Sequence, residues 1–468
     1  MTWNDDAIMT MPNSKARRAT PGKNALRAKT WKNALRAGLL LPLLGGCSLW
    51  DDWFGLEKAK LPGTRVAVLT AATELQAAKP GTLKVALPAP APLGASPQAG
   101  GNPAHVLEHP ALPEHVSRAW SASIGTGGGY RRKVTAQPVV DGGRVFTMDS
   151  DGVVSAFDTA SGGQAWRAVT QDDADRSTNV GGGVAVAGGV VYAVTGRADA
   201  LALDAATGAV KWRAKLPSPA RAAPTVAAER VFVPLLDSQL VALSIADGKS
   251  MWTYQGRTSE PMVLGLPAPA YGEGLLLAGF GAGELVALNP LSGAVIWVDS
   301  LAAARGRNSL ADVSTILGRT AIKSGRAYAV SMGQQLASVD LRSGRRLWER
   351  NVSSAESPWI AGDWMFLATA GNQVAAFSLI DGQAAWATQL DVFENPEKKK
   401  DPIRWYGPVL AGDRVILAGS NGVAVSLSPY TGQILGSEKL PGPASVTPVV
   451  AGGTLYIVTD DGSIVAFR

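Results

Sequence analysis

Six times in this 468-residue chain an Asp, Ser or Asn opens a nine-residue phrase in which a Gly stands four residues before a closing Trp: Asp158–Trp166, Asp204–Trp212, Ser244–Trp252, Asn289–Trp297, Asp340–Trp348 and Ser378–Trp386. A seventh copy, Ser428–Gly436, keeps Gly432 and has lost its Trp. A phrase repeated at a steady period constrains a fold more than any composition does, because each copy must belong to one supersecondary unit stacked on its neighbours. The chain is an array.

The residues before each phrase say what the unit is. Arg144-Val-Phe-Thr-Met148 and Val153-Val-Ser-Ala-Phe157 alternate in polarity and are separated by Asp149-Ser-Asp-Gly152, the pattern of two antiparallel strands and a tight turn. Pro138-Val-Val140 supplies a third strand upstream, and the Trp is expected to begin a fourth. Four short strands per roughly 40 to 45 residues describe a propeller blade. The Gly suits a turn with positive φ, and the Trp buries a large ring between neighbouring sheets; both report packing rather than chemistry.

The two ends of the array predict its closure. Pro448-Val-Val450, Thr454–Val458 and Ser463–Phe467 give the last unit three strands and no fourth. Val116-Ser-Arg-Ala-Trp120 stands 46 residues before Trp166 with no strands ahead of it. An outer strand near residue 120 would complete the last blade and leave no sheet edge open. The expected fold is all-β: an eight-bladed propeller of four-stranded antiparallel blades over residues 116–468.

The N-terminal region belongs to export. Eight Lys and Arg residues precede the apolar run Ala37-Gly-Leu-Leu-Leu-Pro-Leu-Leu44, which ends in Gly45-Gly46-Cys47. A basic stretch, a short hydrophobic stretch and small residues make a signal peptide, too short for a spanning helix. Leu44-Gly45-Gly46-Cys47 resembles a bacterial lipobox, and Cys47 is the only cysteine in the sequence. Residues 1–46 are therefore read as a lipoprotein signal, with Met9 and Met11 as alternative starts, and Cys47 as the lipidated residue. Ser48 in the next position implies, by resemblance to lipoprotein sorting, the periplasmic face of the outer membrane.

Charge argues against a nucleic-acid partner. The net charge of +6 comes from the leader, which holds eight of the 44 basic residues and two of the 38 acidic ones and so leaves 36 of each. A formally neutral mature chain has no basic footprint. Residues 47–115, with Pro88-Ala-Pro-Ala-Pro-Leu-Gly-Ala-Ser-Pro97, read as a tether and an extended linker; Thr64–Leu69 is a possible strand within it. His105, His109 and His115 sit at its end. Their spacing invites a metal, but without thiolate ligands they read as side chains packed on the propeller rim.

From residue 116 onward there is no His and no Cys. That removes the commonest general base, the thiol nucleophile and the soft metal ligands. Ser177 and Gly181-Gly-Gly183 read as an inter-blade loop. No catalytic residue, cofactor or metal site is assigned.

The phrase Asp204-Ala-Ala-Thr-Gly-Ala-Val-Lys-Trp212 and its copies resemble the repeat of pyrroloquinoline quinone dehydrogenases. Combined with a lipobox and little else but repeats, the chain is similar to the BamB family of outer membrane assembly lipoproteins. The first resemblance implies a periplasmic quinoprotein, with a vicinal Cys pair that a single cysteine cannot form. The second implies a non-enzymatic scaffold of the barrel assembly machinery that binds the periplasmic domains of BamA beside other subunits and is monomeric outside the complex. It also implies docking through two inter-blade loops. Here these carry Met262, Val263, Leu264 and Gly265, and Arg307, Asp312 and Ser314. Gly265 and Ser314 depart from the Arg and the second acid usual in the family. The loop Asp391–Tyr406, with Lys398-Lys-Lys400 and Trp405, is a further candidate contact.

Overall fold

A computed structural model describes residues 75–79, 82–129, 132–171, 178–258, 265–302 and 314–468. Cys47 and the possible strand Thr64–Leu69 lie outside them. The described residues form eight four-stranded antiparallel sheets, as the repeat predicts. Blade 1 is Val139–Asp141, Arg144–Met148, Val154–Asp158 and Gln164–Ala168. Blades 2 to 7 repeat it over 182–215, 225–255, 270–300, 321–350, 359–389 and 405–439. Blade 8 takes three strands from Val449–Ala451, Thr454–Thr459 and Ser463–Phe467 and its outer strand from Arg118–Ser123, with Trp120 opposite Ala466. The predicted closure is the observed one.

The core lies between blades rather than within one. Strands two and three of each sheet are buried on both faces, and the buried apolar residues fall into clusters that each join two adjacent blades. One joins Phe146 and Val154 of blade 1 to Val191 and Leu201 of blade 2. Another joins Tyr456 and Ile464 of blade 8 to Val145 and Phe157 of blade 1, which closes the ring.

The motif works as a keystone across this interface. Its Trp lies in the middle of the fourth strand, not at its beginning, and faces a small residue of the third: Trp166 pairs with Ala156, Trp212 with Ala202 and Trp348 with Ser338. A second-strand aromatic completes the column, as in Phe146 with Trp166, ring centroids 5.8 Å apart. The indole then reaches the next blade. Trp166 donates Nε1–H to Ala205 O at 3.0 Å and Trp297 to Leu341 O at 2.8 Å. The motif Gly of that next blade lies beneath the ring: a Cβ on Gly208, at φ +76°, would stand 2.7 Å from Trp166. The Asp at the head of the phrase ties the turn, with Asp158 Oδ1 accepting from Ala160 N–H at 3.0 Å and Ser161 N–H at 2.8 Å, an Asx turn. Trp297→Ala removes a ring that is 8% exposed together with its inter-blade hydrogen bond. It should cost about 3–5 kcal/mol, read as a shift in the denaturant midpoint.

The same geometry explains the copy that lost its Trp. Blade 8 has no hairpin between its third and fourth strands, since its fourth strand is Arg118–Ser123, from far earlier in the chain. No motif Gly therefore waits for a ring from blade 7. Gly436 stands where the Trp would be, with nothing within 4 Å of its Cβ position.

Four expectations need correction. Residues 82–115 are extended but are no free linker: Val85 is buried among Trp364, Leu410 and Trp405, and residues 93–110 hydrogen-bond to every blade. His105 and His109 are buried there, not on the rim; His109 takes Nδ1 to Pro88 O at 2.8 Å and accepts from Asp413 N–H at 3.0 Å. The loop Asp391–Tyr406 is a hairpin, Phe393–Asn395 with Lys400–Pro402. Its Trp405 is buried, donates to Asp391 O at 2.9 Å and starts blade 7. Gly182 and Gly183 likewise begin the first strand of blade 2 rather than a loop, because Ala223 leaves no room for a side chain on Gly183. Ser177 lies outside the described residues.

Candidate partner-docking face

Each blade is antiparallel, so its chain reversals divide between two ends. Turns joining strands one to two and three to four lie at one end. Turns joining two to three, and the crossovers to the next blade, lie at the other. Both loops singled out in the sequence are crossovers, and both attach to blade 4: one enters its first strand at Ala270, the other leaves its fourth at Ser300.

Met262, Val263, Leu264, Arg307 and Asp312 lie outside the described residues. The described ends of both loops are built in. On the first, Gly256 N–H donates to Ser238 O at 2.8 Å and Arg257 N–H to Glu284 Oε2 at 2.8 Å. Glu284 is buried and accepts from the Tyr254 hydroxyl at 3.3 Å. Burial and the Glu284 charge push that phenol up to about 12, so it stays a donor at neutral pH. Gly265, at φ +112°, is half-buried and has open space at its Cβ position.

On the second loop, Leu301 is fully buried and donates to Gly283 O at 2.7 Å. Thr315 Oγ1 donates to Gly281 O at 2.8 Å, and its carbonyl accepts from Met332 N–H at 3.0 Å. Ser314 is 9% exposed, wedged against Gly283 and Gly333 in the turns of blades 4 and 5. It is a footing for the loop, not a surface contact. The described ends of both loops are thus held by hydrogen bonds and burial on either side of one blade, the usual way a scaffold positions recognition loops.

Sequence reading missed a feature of the blade that both loops share. The outer strand of blade 4, Val295–Ser300, exposes Val295 at 50%, Ile296 at 45% and Val298 at 50%. Its outward edge is unpaired. Edge strands are commonly blunted by charge, as blade 2 does with Lys211, Arg213 and Lys215; blade 4 carries no charge before Asp299. The signal was present as three branched apolar residues around a motif Trp, but an outer strand cannot be told from a buried one until the sheet order is known. An apolar, unpaired outer strand on the blade to which both loops attach can add to a protein-binding surface, by side-chain contacts and by strand addition.

The described residues contain no group of three or more His, Cys, Asp or Glu able to hold a metal. The channel retains a cavity of about 30 Å³ lined by His105, Gln137 and Arg319, room for a single water. Burial, and then the Arg319 charge, push the His105 imidazole down to about 3, leaving a neutral ring that donates from Nδ1 to Thr320 O at 2.8 Å.

Residues 150–388 and 393–468 match the profile of the family described as outer membrane protein assembly factor BamB. A curated protein with that description from Burkholderia pseudomallei is 29% identical over 363 residues, covering 75% of this chain and 88% of its own. Among solved structures, BamB from Moraxella catarrhalis aligns with a TM-score of 0.65 at 22% identity, over 76% of this chain and all of that one. Quinohemoprotein alcohol dehydrogenase from Comamonas testosteroni aligns with a TM-score of 0.62 at 16% identity, over 80% of each chain. These two likenesses are of fold.

Proposed function

The chain belongs to the BamB family of outer membrane protein assembly factors, and on that premise we propose that it is a non-enzymatic scaffold lipoprotein of the barrel assembly machinery. It is held on the periplasmic face of the outer membrane through Cys47 and binds BamA-type periplasmic domains with the loops on either side of blade 4. The observation that carries this reading is the placement of both loops, on rigid bases, around one blade whose edge strand is apolar and unpaired. Met262, Val263 and Leu264 supply the apolar part of the contact, and Asp312 and Arg307 supply charges that fix the register, with Gly265 keeping the first loop's arc open. Assembly around a fixed scaffold needs no catalytic group, and the propeller offers neither His nor Cys for one.

The quinoprotein reading is the weaker one. Its support is likeness of fold, and the vicinal cysteine pair of that family has no counterpart in a chain with one cysteine. Purification of the tagged protein from detergent-solubilised membranes tests the scaffold reading: BamA-type subunits in the eluate support it, and their absence sinks it. The anchor is tested separately. Cys47→Ser should abolish incorporation of a labelled fatty acid, and labelling as strong as in the parent would refute lipidation at this residue.

A further inference from the structure

The first strand of every blade faces the axis of the ring and has one edge without a sheet partner. N–H groups on such an edge, and in the turn that follows it, can take acceptors from elsewhere in the chain. Residues 93–110 supply them to the first strand of blades 1 to 5 and to the turn after the first strand of blades 6, 7 and 8.

Leu93 O accepts from Gly452 N–H of blade 8 at 2.6 Å, Ser96 O from Val140 of blade 1 at 2.8 Å, and Pro97 O from Val186 of blade 2 at 2.7 Å. At blade 3 the buried Gln98 side chain takes over. Its Oε1 accepts from Val226 N–H at 2.9 Å, and its Nε2 donates to Val226 O at 2.8 Å. Pro103 O accepts from Tyr271 of blade 4 at 2.7 Å and Ala104 O from Ile322 of blade 5 at 2.9 Å. Glu108 Oε2 accepts from Gly362 of blade 6 at 2.8 Å, and Pro110 O from Gly412 of blade 7 at 2.9 Å. The circle then locks on itself: Ala91 N–H donates to His109 O at 2.9 Å and Ala111 N–H to Ala91 O at 2.8 Å.

The composition that reads as a linker fits this task. Proline has a carbonyl but no N–H, and Pro97, Pro103 and Pro110 are each placed where the propeller only donates. Their fixed φ also lowers the entropy lost when the segment is ordered. Gly100 and Gly101, at φ +79° and +89°, make the one sharp bend, where His105, Arg319 and Leu107 leave no space for a Cβ.

We propose that residues 93–110 are a built-in ligand of the propeller channel: they close one mouth of it permanently, at the end opposite the crossovers between blades. Nothing in this depends on which partner those loops bind. Because the segment satisfies a ring of donors, it should hold without its covalent link to the outer strand. A site-specific protease sequence inserted between the exposed Glu114 and His115 lets full-length folded protein be nicked after folding. The N-terminal fragment should then co-elute with the propeller on gel filtration and separate only in denaturant. Its release in native buffer would overturn the proposal.

Hydrogen exchange on the intact, unmodified chain gives a second reading. The amides of Val186, Tyr271 and Ile322 have their partners on this segment. They should exchange at least ~100-fold more slowly than unstructured amides. Exchange at the unstructured rate would show that the segment leaves the channel freely and would equally overturn the proposal.

Discussion

Leu264→Asp combined with Asp312→Arg is expected to lose binding to BamA-type periplasmic domains while the propeller melts unchanged. An apolar residue at the centre of an interface can carry on the order of 2 kcal/mol or more, about 30-fold in affinity. A carboxylate in its place would also be desolvated without a partner, and reversing Asp312 sets like charges against each other where the register was fixed. Both positions lie outside the blade strands, between bases held by Glu284, Leu301 and Thr315, so circular dichroism should not change. Undiminished pull-down by the folded double variant would exclude these loops as the docking surface. Val298→Lys, which puts a charge on the exposed edge of blade 4, separates the two parts of the site. Weakened binding in that variant alone would assign the contact to the strand and not to the loops.

Removal of Arg118–Ser123 is expected to have the largest effect on stability. Trp120 is 9% exposed, donates to Thr159 O of blade 1 at 3.0 Å and stacks near Tyr456 at 5.9 Å. Losing that ring alone should cost about 3–5 kcal/mol, so Trp120→Ala gives the lower bound. The deletion also strips Ser463–Phe467 of its hydrogen-bonded neighbour and leaves a buried strand as a bare edge, prone to pairing with another chain. Shortening the exposed hairpin tip at residues 396–399 is the control, since it removes no buried contact. Denaturant midpoints that fall equally in the two deletions would contradict closure through the N-terminal strand.

How far the sequence reached differs from element to element. The eight blades, the turn chemistry at Asp158 and Gly162, and the closing strand at Trp120 were legible because each depends on neighbours within a few residues and recurs. The position of Trp166 within its strand was misjudged, because a Trp opposite Ala156 with a bulge beside it follows from cross-strand register, which a single strand does not display. The loops proposed for docking were singled out only through resemblance. The exposed outer strand of blade 4 was not legible at all, since Val295, Ile296 and Val298 read the same whether buried or exposed.

By itself the sequence determined the unit, its number and its closure: strand alternation, a Gly turn and a Trp are local and periodic, so they carry their meaning without a partner. Only the tertiary structure decided what the non-repeating parts are. It turned a Pro-rich stretch into a ring of acceptors, placed His105 and His109 in the interior, wedged Ser314 beneath two turns and removed the need for a Trp at position 436. Each of those outcomes depends on groups many residues away: the first-strand and first-turn N–H of eight separate blades, the Gly283 and Gly333 turns, the hairpin that blade 8 lacks. A residue's chemistry is written in the chain, but whether its hydrogen bonds and its surface find partners is settled when distant segments meet.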